Sequence, residues 1–322
     1  MKKKIPGLLE RIKILAALGE RQGATETKAR RIIEEWLLAL EVAYSTQEFV
    51  TQIPNVLSSR LFADGKQLRA ESTAFKSGEV KGKDAIISSL ISSQRFLYDA
   101  NINVNPACNG ISRSNHYFAP SFAVHRKDIA TLLRADKVFG SVKVQKVSHR
   151  SANILVGNTK NPTAVLFCHY DSIHAGAVDN ASGVSVMCEL IQQNRELLRN
   201  CLFVFAGNEE VSYDEPIYWG HGYRVFERSM TTVLKKTRRI IVVDCVGQTK
   251  SIATSDPKLL MLGFPLDSIK TLVSKTTMVC GDFAALMRIY HSSQDTIAEV
   301  SIKNLKQAVM LTRQLIARAV KS

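Results

Sequence analysis

The chain has 322 residues, 45% of them apolar, enough to bury one large core and a smaller second one. Lys and Arg outnumber Asp and Glu by 43 to 29, giving a formal net charge of +14. That balance suits an anionic partner, but the basic residues are scattered, the densest runs being Lys2 to Lys4 and Lys235 to Arg239. No nucleic-acid motif or interleaving of aromatic and basic residues accompanies them, so specific nucleic-acid binding is not expected.

In chain order, the first stretch has a basic start, but Glu10, Arg11 and Lys13 interrupt the apolar run that a signal peptide requires. No apolar run of membrane-spanning length occurs, so a cytoplasmic location with no membrane partner is expected. From Pro6 to about Tyr44, two apolar stripes at helical spacing predict two helices: Leu8, Leu9, Ile12, Leu15 and Leu18, then Ala29, Ile32, Ile33, Trp36, Leu37 and Leu40. Residues 56–149 change to short β-rich runs with Gly and Asn turn signals and one brief helical pattern from Lys127 to Leu133. They are expected to form a small inserted domain within a discontinuous domain of residues 1–55 and 150–322. His116, His125 and His149 have no carboxylate beside them in sequence and are expected to be ordinary histidines.

A strand at Ser151 to Gly157 precedes three buried apolar runs, Ala164 to Cys168, Leu202 to Ala206 and Ile240 to Val243. Between them, Val184 to Leu198 reads as a helix, and Val211 to Tyr218 as a solvated loop by default, with Asp214, Glu215, Tyr218 and His221 as the residues that would line a pocket there. Ile302, Leu305, Val309, Thr312, Ile316 and Ala319 give a closing helix from Glu299 to Val320. The expected fold class is α/β: a mixed, largely parallel central sheet with helices on both faces, plus the small β-rich insert. The six cysteines form no close pair of zinc-finger or redox type and are expected to be mostly buried thiols.

Each of the three apolar runs delivers polar chemistry at its end. The first leads to His169 and Asp171, two apart in an extended segment, so both side chains leave the same face; a carboxylate there holds one ring nitrogen while the other meets a cation. A small-residue loop then presents Asp179. The second run is followed by Glu209 and Glu210, the third by Asp244, and a polar loop before the last helix carries His291. Functional groups gather at the carboxyl ends of parallel strands, so these segments are able to converge. Imidazole nitrogen and carboxylate oxygen together suit zinc. Cys168 and Cys245 adjoin these residues, but strand neighbours point to opposite faces, so neither is expected to bind metal.

His169-Tyr170-Asp171, Gly176 to Gly183 (GAVDNASG), Glu209-Glu210, Asp244 and Tyr290-His291 resemble, in order, the motifs of peptidase family 28 of the metallopeptidases (clan MH), the co-catalytic zinc aminopeptidases and their relatives. The resemblance implies a zinc exopeptidase, foremost an aminopeptidase acting on peptides, with two Zn2+ per chain bridged by Asp179. Asp244 would share one ion with His169, and Glu210 the other with His291. Glu209 would be the general base, with Asp171 as catalytic support, and the Asp179-Asn180 peptide would be cis. The segment Phe122 to Val147 is similar to the end of a protease-associated domain, and Gly19 to Thr27 to the family's early arginine and glycine segment. Val211 to Tyr218 and Cys280 to Phe283 depart from the family's pattern. The alternatives are a single-zinc glutaminyl cyclase-like enzyme, against which the presence of His169 argues, a carboxypeptidase, or a non-catalytic basic binding module.

Overall fold

The computed structural model describes residues 5–90 and 93–321; the basic run Lys2 to Lys4 lies outside them. Helices α1 (Leu8–Ala16) and α2 (Ala24–Ala39) bury the two sequence stripes, Leu8, Ile12 and Leu15 on one and Ala29, Ile33, Trp36 and Leu37 on the other. The main sheet is built on β1 (Tyr44–Ala63), β2 (Val138–Gly157), β3 (Ala164–His169), β4 (Cys201–Ala206), β5 (Arg239–Val243), β6 (Ile252–Thr254) and β7 (Thr276–Cys280). Their order is β6-β7-β5-β3-β4-β2-β1. The centre, β7-β5-β3-β4, is parallel, whereas β2 is antiparallel to β4 and β1 to β2.

The parallel strands are apolar at nearly every position because both faces are covered. Leu166, Cys168, Phe203, Phe205, Ile241 and Val243 face one core, shared with α1, α2, α3 (Ser182–Gln193) and α5 (Ile302–Lys321). Val165, Phe167, Leu202, Val204, Ile240 and Val242 face a second core beneath α4 (His221–Lys236) and the short helix Pro257–Gly263. Each fully buried side chain of this kind contributes about 1.5–3 kcal/mol. The alternation thus fixes the sheet between two helical layers, as the sequence predicts. Helix α3 stops at Gln193 rather than continuing to Leu198. Asn194 adopts an extended backbone and its side-chain oxygen accepts from Glu196 N, opening a separate turn at Leu197–Asn200.

Strands β1 and β2 pair from Tyr44 with Val156 to Ala63 with Val138, with one register shift between Val56 and Ser58. The boundaries expected at 55/56 and 149/150 fall within these two strands. Their far halves carry a four-stranded sheet of Ala70–Ser72, Ser121–Val124, Asn101–Val104 and Ile86–Ser88. Leu61, Ile102, Phe122, Val124, Leu132 and Val142 form its core. Gly140 is needed there because the Phe122 ring packs where a Cβ would sit, 2.6 Å away. Among the described residues no helix is long and apolar enough to cross a membrane.

Candidate metal centre

The parallel strands all end on one edge of the sheet. There β3 presents His169 and then Asp171; β4 runs through Gly207 and Asn208 into Glu209 and Glu210; β5 hands over to Asp244. Asp179 sits in the short helical turn Ala177–Ala181 that leads into α3, and its peptide bond to Asn180 is cis, as the motif implies. His291 occupies a turn ahead of α5 with a left-handed backbone, φ +49°.

These side chains converge into two groups that share Asp179: His169 with Asp179 and Asp244, and Asp179 with Glu210 and His291. The sharing is atom by atom. Asp179 Oδ1 lies 3.2 Å from His169 Nε2, which is 3.5 Å from Asp244 Oδ1. Asp179 Oδ2 lies 3.2 Å from His291 Nε2, which is 2.8 Å from Glu210 Oε2. Within each group the ligand atoms lie within 4.8 Å of one another. Glu209, buried beside them, belongs to neither group.

A supporting layer orients these ligands. His169 Nδ1 faces Asp171, 3.5 Å from its Oδ1 and 3.2 Å from its backbone oxygen, which leaves Nε2 for the centre. Asp171 Oδ2 accepts from Glu210 N at 2.9 Å and from Gln22 Nε2 at 3.2 Å, tying the ends of β3 and β4 together. Asp295 accepts from the backbone N–H of Val178 (2.7 Å) and of Asp179 (3.0 Å). Arg21, with no exposed surface, donates to the carbonyls of Tyr170 (2.7 Å), Ala175 (2.6 Å) and Gly176 (3.0 Å), pinning the loop that carries Asp179.

Burial and the close approach of carboxylates and imidazoles set the electrostatics of the site. Burial pushes Glu209 well up and lifts Glu210 to about 7, although nearby imidazoles oppose both shifts. Burial alone would lower His291, but the carboxylates of Glu210 and Asp179 outweigh it and raise it to about 10. His169 is likewise raised, its three carboxylate partners outweighing burial. Burial would raise Asp179, yet the two imidazoles hold it well below the carboxylate range. Glu210 Oε1 and His291 Nε2 are buried without a hydrogen-bond partner, and His291 Nε2 faces Glu210 Oε2 at 2.8 Å without making an aligned bond. Leaving such groups unpaired is costly, and a divalent cation would satisfy them. The donor set of imidazole nitrogens and carboxylate oxygens fits Zn2+.

All seven residues singled out from the sequence therefore lie in one place. Arg21 and Asp295 were missed as contributors; Asp295, four residues after His291 in a polar loop, was the available signal. Three expectations change. The segment Val211 to Tyr218 is solvated only at its tip, Glu215 and Pro216: Val211 and Tyr218 are buried with Phe75, Leu97, Phe118 and Ile173, and Asp214 pairs with His221 (2.6 Å) and Arg224 (2.7 Å). His149 does have a carboxylate neighbour in space, Glu26 at 3.0 Å, whereas His116, buried against Phe75 and Tyr218, is an ordinary core histidine as expected. Cys245 leaves β5 in a left-handed conformation and its thiol donates to Asp244 Oδ1 at 3.3 Å instead of pointing away, though it joins neither ligand group. Five of the six cysteines are buried and all six are free.

Comparison with known proteins gives the same direction. A sequence profile described as Peptidase family M28 matches residues 152–258. A sequence search among curated proteins gives no match. The chain is similar in structure to a zinc aminopeptidase from Bacillus subtilis (TM-score 0.71, 18% identity, covering 98% of this chain and 96% of that one). It is similar also to an aminopeptidase from Aneurinibacillus sp. strain AM-1 (0.66, 18%, 99% and 94%) and, more distantly, to the glutaminyl cyclase of Porphyromonas gingivalis (0.52, 13%, 98% and 98%). His169, Asp171, Asp179, Glu209, Glu210 and Asp244 all fall inside the matched segment, so the part of the chain that carries most of the site is similar to peptidase family M28, within a fold similar to that of zinc aminopeptidases.

Proposed function

We propose that the chain is a two-zinc aminopeptidase that removes N-terminal residues from peptides. The observation that carries this reading is Asp179, whose two oxygens face separate histidine and carboxylate pairs. When bound, paired Zn2+ supplies Lewis acidity toward the scissile carbonyl and makes a water more acidic near neutral pH. His169, Asp179 and Asp244 would hold one ion, and Asp179, Glu210 and His291 the other. Glu209, adjacent to both groups but in neither, takes the proton from the attacking water and hands it to the leaving amine. Asp171 keeps the His169 ring in the tautomer that offers Nε2.

Residues 56–149 act as an insert that shapes access to the cleft, a role supported by the packing of Phe75 and Phe118 against Val211 and Tyr218 just after Glu209 and Glu210. A single-zinc glutaminyl cyclase-like enzyme is the second reading, favoured by the similar fold of the Porphyromonas gingivalis enzyme. His169 argues against it, because its Nε2 makes a second ligand group with Asp179 and Asp244. A panel of aminoacyl amides and glutaminyl peptides with zinc-loaded protein separates the two. Release of free N-terminal amino acids supports the aminopeptidase; ring closure of N-terminal glutamine without hydrolysis supports the cyclase.

A further inference from the structure

His291 is the one ligand held from outside residues 152–258, and its support comes from a distant part of the chain. Segment 105–114, within the proposed insert, lies along the turn that carries His291. Arg113 N donates to His291 O at 2.9 Å, and the Arg113 carbonyl faces His291 Nδ1 at 3.2 Å. Ser112 forms an antiparallel bridge with Ser292, and its hydroxyl donates to Tyr290 O at 2.6 Å. Asn105 Nδ2 donates to Met287 O at 2.9 Å, closing the other end of the contact. This is a strand-like pairing between residues some 180 positions apart, made on both sides of a candidate metal ligand.

The Arg113 side chain anchors that pairing in two directions. Its guanidinium meets Glu20 at 2.5 Å, on the connection between α1 and α2, and Glu71 at 3.4 Å, on the strand Ala70–Ser72. The Arg113 side chain is only 13% exposed and is held between two carboxylates, Glu71 half-buried and Glu20 at the surface.

We propose that Arg113 is a positioning residue for His291: its side chain fixes the 105–114 segment, and its carbonyl accepts from Nδ1, leaving Nε2 to the cation. The inference rests on the metal reading of the site and adds that the 56–149 segment is part of the metal centre as well as a wall around it. A ligand histidine whose other nitrogen is held by a backbone carbonyl has its tautomer and orientation set, and losing such support typically weakens metal binding by about 10–100-fold.

Charge and positioning predict opposite signs for one substitution. Arg113 is a cation close to Glu210, so if it acts only through charge, removing it strengthens cation binding in the Glu210 and His291 group. If it positions His291, removing it weakens binding there. Zn2+ titrations against a competing chelator, repeated with Co2+ to read the visible spectrum, measure both steps in wild-type protein, and His291→Ala identifies which step belongs to the His291 group. Arg113→Met is expected to weaken that step by about 10-fold and alter its Co2+ spectrum while leaving the His169 step unchanged, with partial rescue in Arg113→Lys. Ser112→Ala, which keeps every charge and removes the bond to Tyr290 O, is expected to weaken the same step and serves if Arg113→Met does not fold. An unchanged or tighter His291 step in both variants overturns the proposal. Wild-type protein that takes up no ion overturns the metal reading itself, a failure distinct from two normal steps that ignore position 113.

Discussion

Glu209 and Glu210 are chemically identical neighbours set apart by direction. Glu210 meets His291 and shares a ligand group with Asp179, whereas Glu209, buried beside them, belongs to neither ligand group. Glu209→Gln should therefore keep the fold and the metals but lower turnover by about 10²-fold or more, read as kcat at constant metal content; near-normal turnover removes the general-base assignment. Asp295 acts one step further out. Both its oxygens accept backbone N–H groups, those of Val178 and Asp179, and burial together with the nearby Asp179 charge lifts it to about 6. In Asp295→Asn one oxygen becomes an N–H donor facing another donor, so the Asp179 turn loses half its anchor. Metal affinity should drop by about 10–100-fold in a chelator competition, with little change in the far end of the molecule.

At the scale of elements, strands β3, β4 and β5 were legible because each is built on an apolar run of four to six residues bounded by polar residues, and the helical stripes of α1, α2 and α5 were legible because they repeat at 3.6 residues. His169, Glu210 and Asp244 were legible because they end or closely follow those strands, whereas Asp179 and His291 lie in turns and were legible through the motifs around them. What was not legible depends on partners far away in sequence. Val211 and Tyr218 are buried by Phe75 and Phe118 from residues 56–149, and His149 meets Glu26 123 positions away. The end of α3 was misread because Leu197 and Leu198 continue an apolar pattern past Asn194, whose extended backbone breaks the helix. Arg21 was marked only within the Gly19 to Thr27 resemblance and given no role, because a lone arginine in a connection carries no period, yet it is buried and donates to four carbonyls, those of Leu15, Tyr170, Ala175 and Gly176. Arg21→Met should leave them unsatisfied and lower the unfolding free energy by about 1–3 kcal/mol per unpaired group at most, measured by denaturant titration. No change in midpoint would show that the loop finds other donors.

Across the whole molecule, β1 and β2 run from the main sheet into the second sheet, while the aromatic cluster and the 105–114 pairing close the return path. The latch on the 211–219 segment gives this arrangement a pH signature. Burial would raise Asp214, but its bonds to His221 and Arg224 outweigh that and hold it at about 2, against an ordinary value of 3.8. A depressed folded value means that the stabilisation is present above the unfolded value and fades as pH falls through the folded one. Wild-type protein should exceed Asp214→Asn in stability above about pH 4, and the gap should shrink toward zero by about pH 2. A gap that is constant with pH would contradict the latch. The account as a whole depends on two cations sharing one carboxylate, and anomalous diffraction at the zinc edge from crystals grown with Zn2+ tests that most directly. It predicts two peaks flanking Asp179, about 3.5–4 Å apart. A single peak with His169 uninvolved, or none between these side chains, would contradict it.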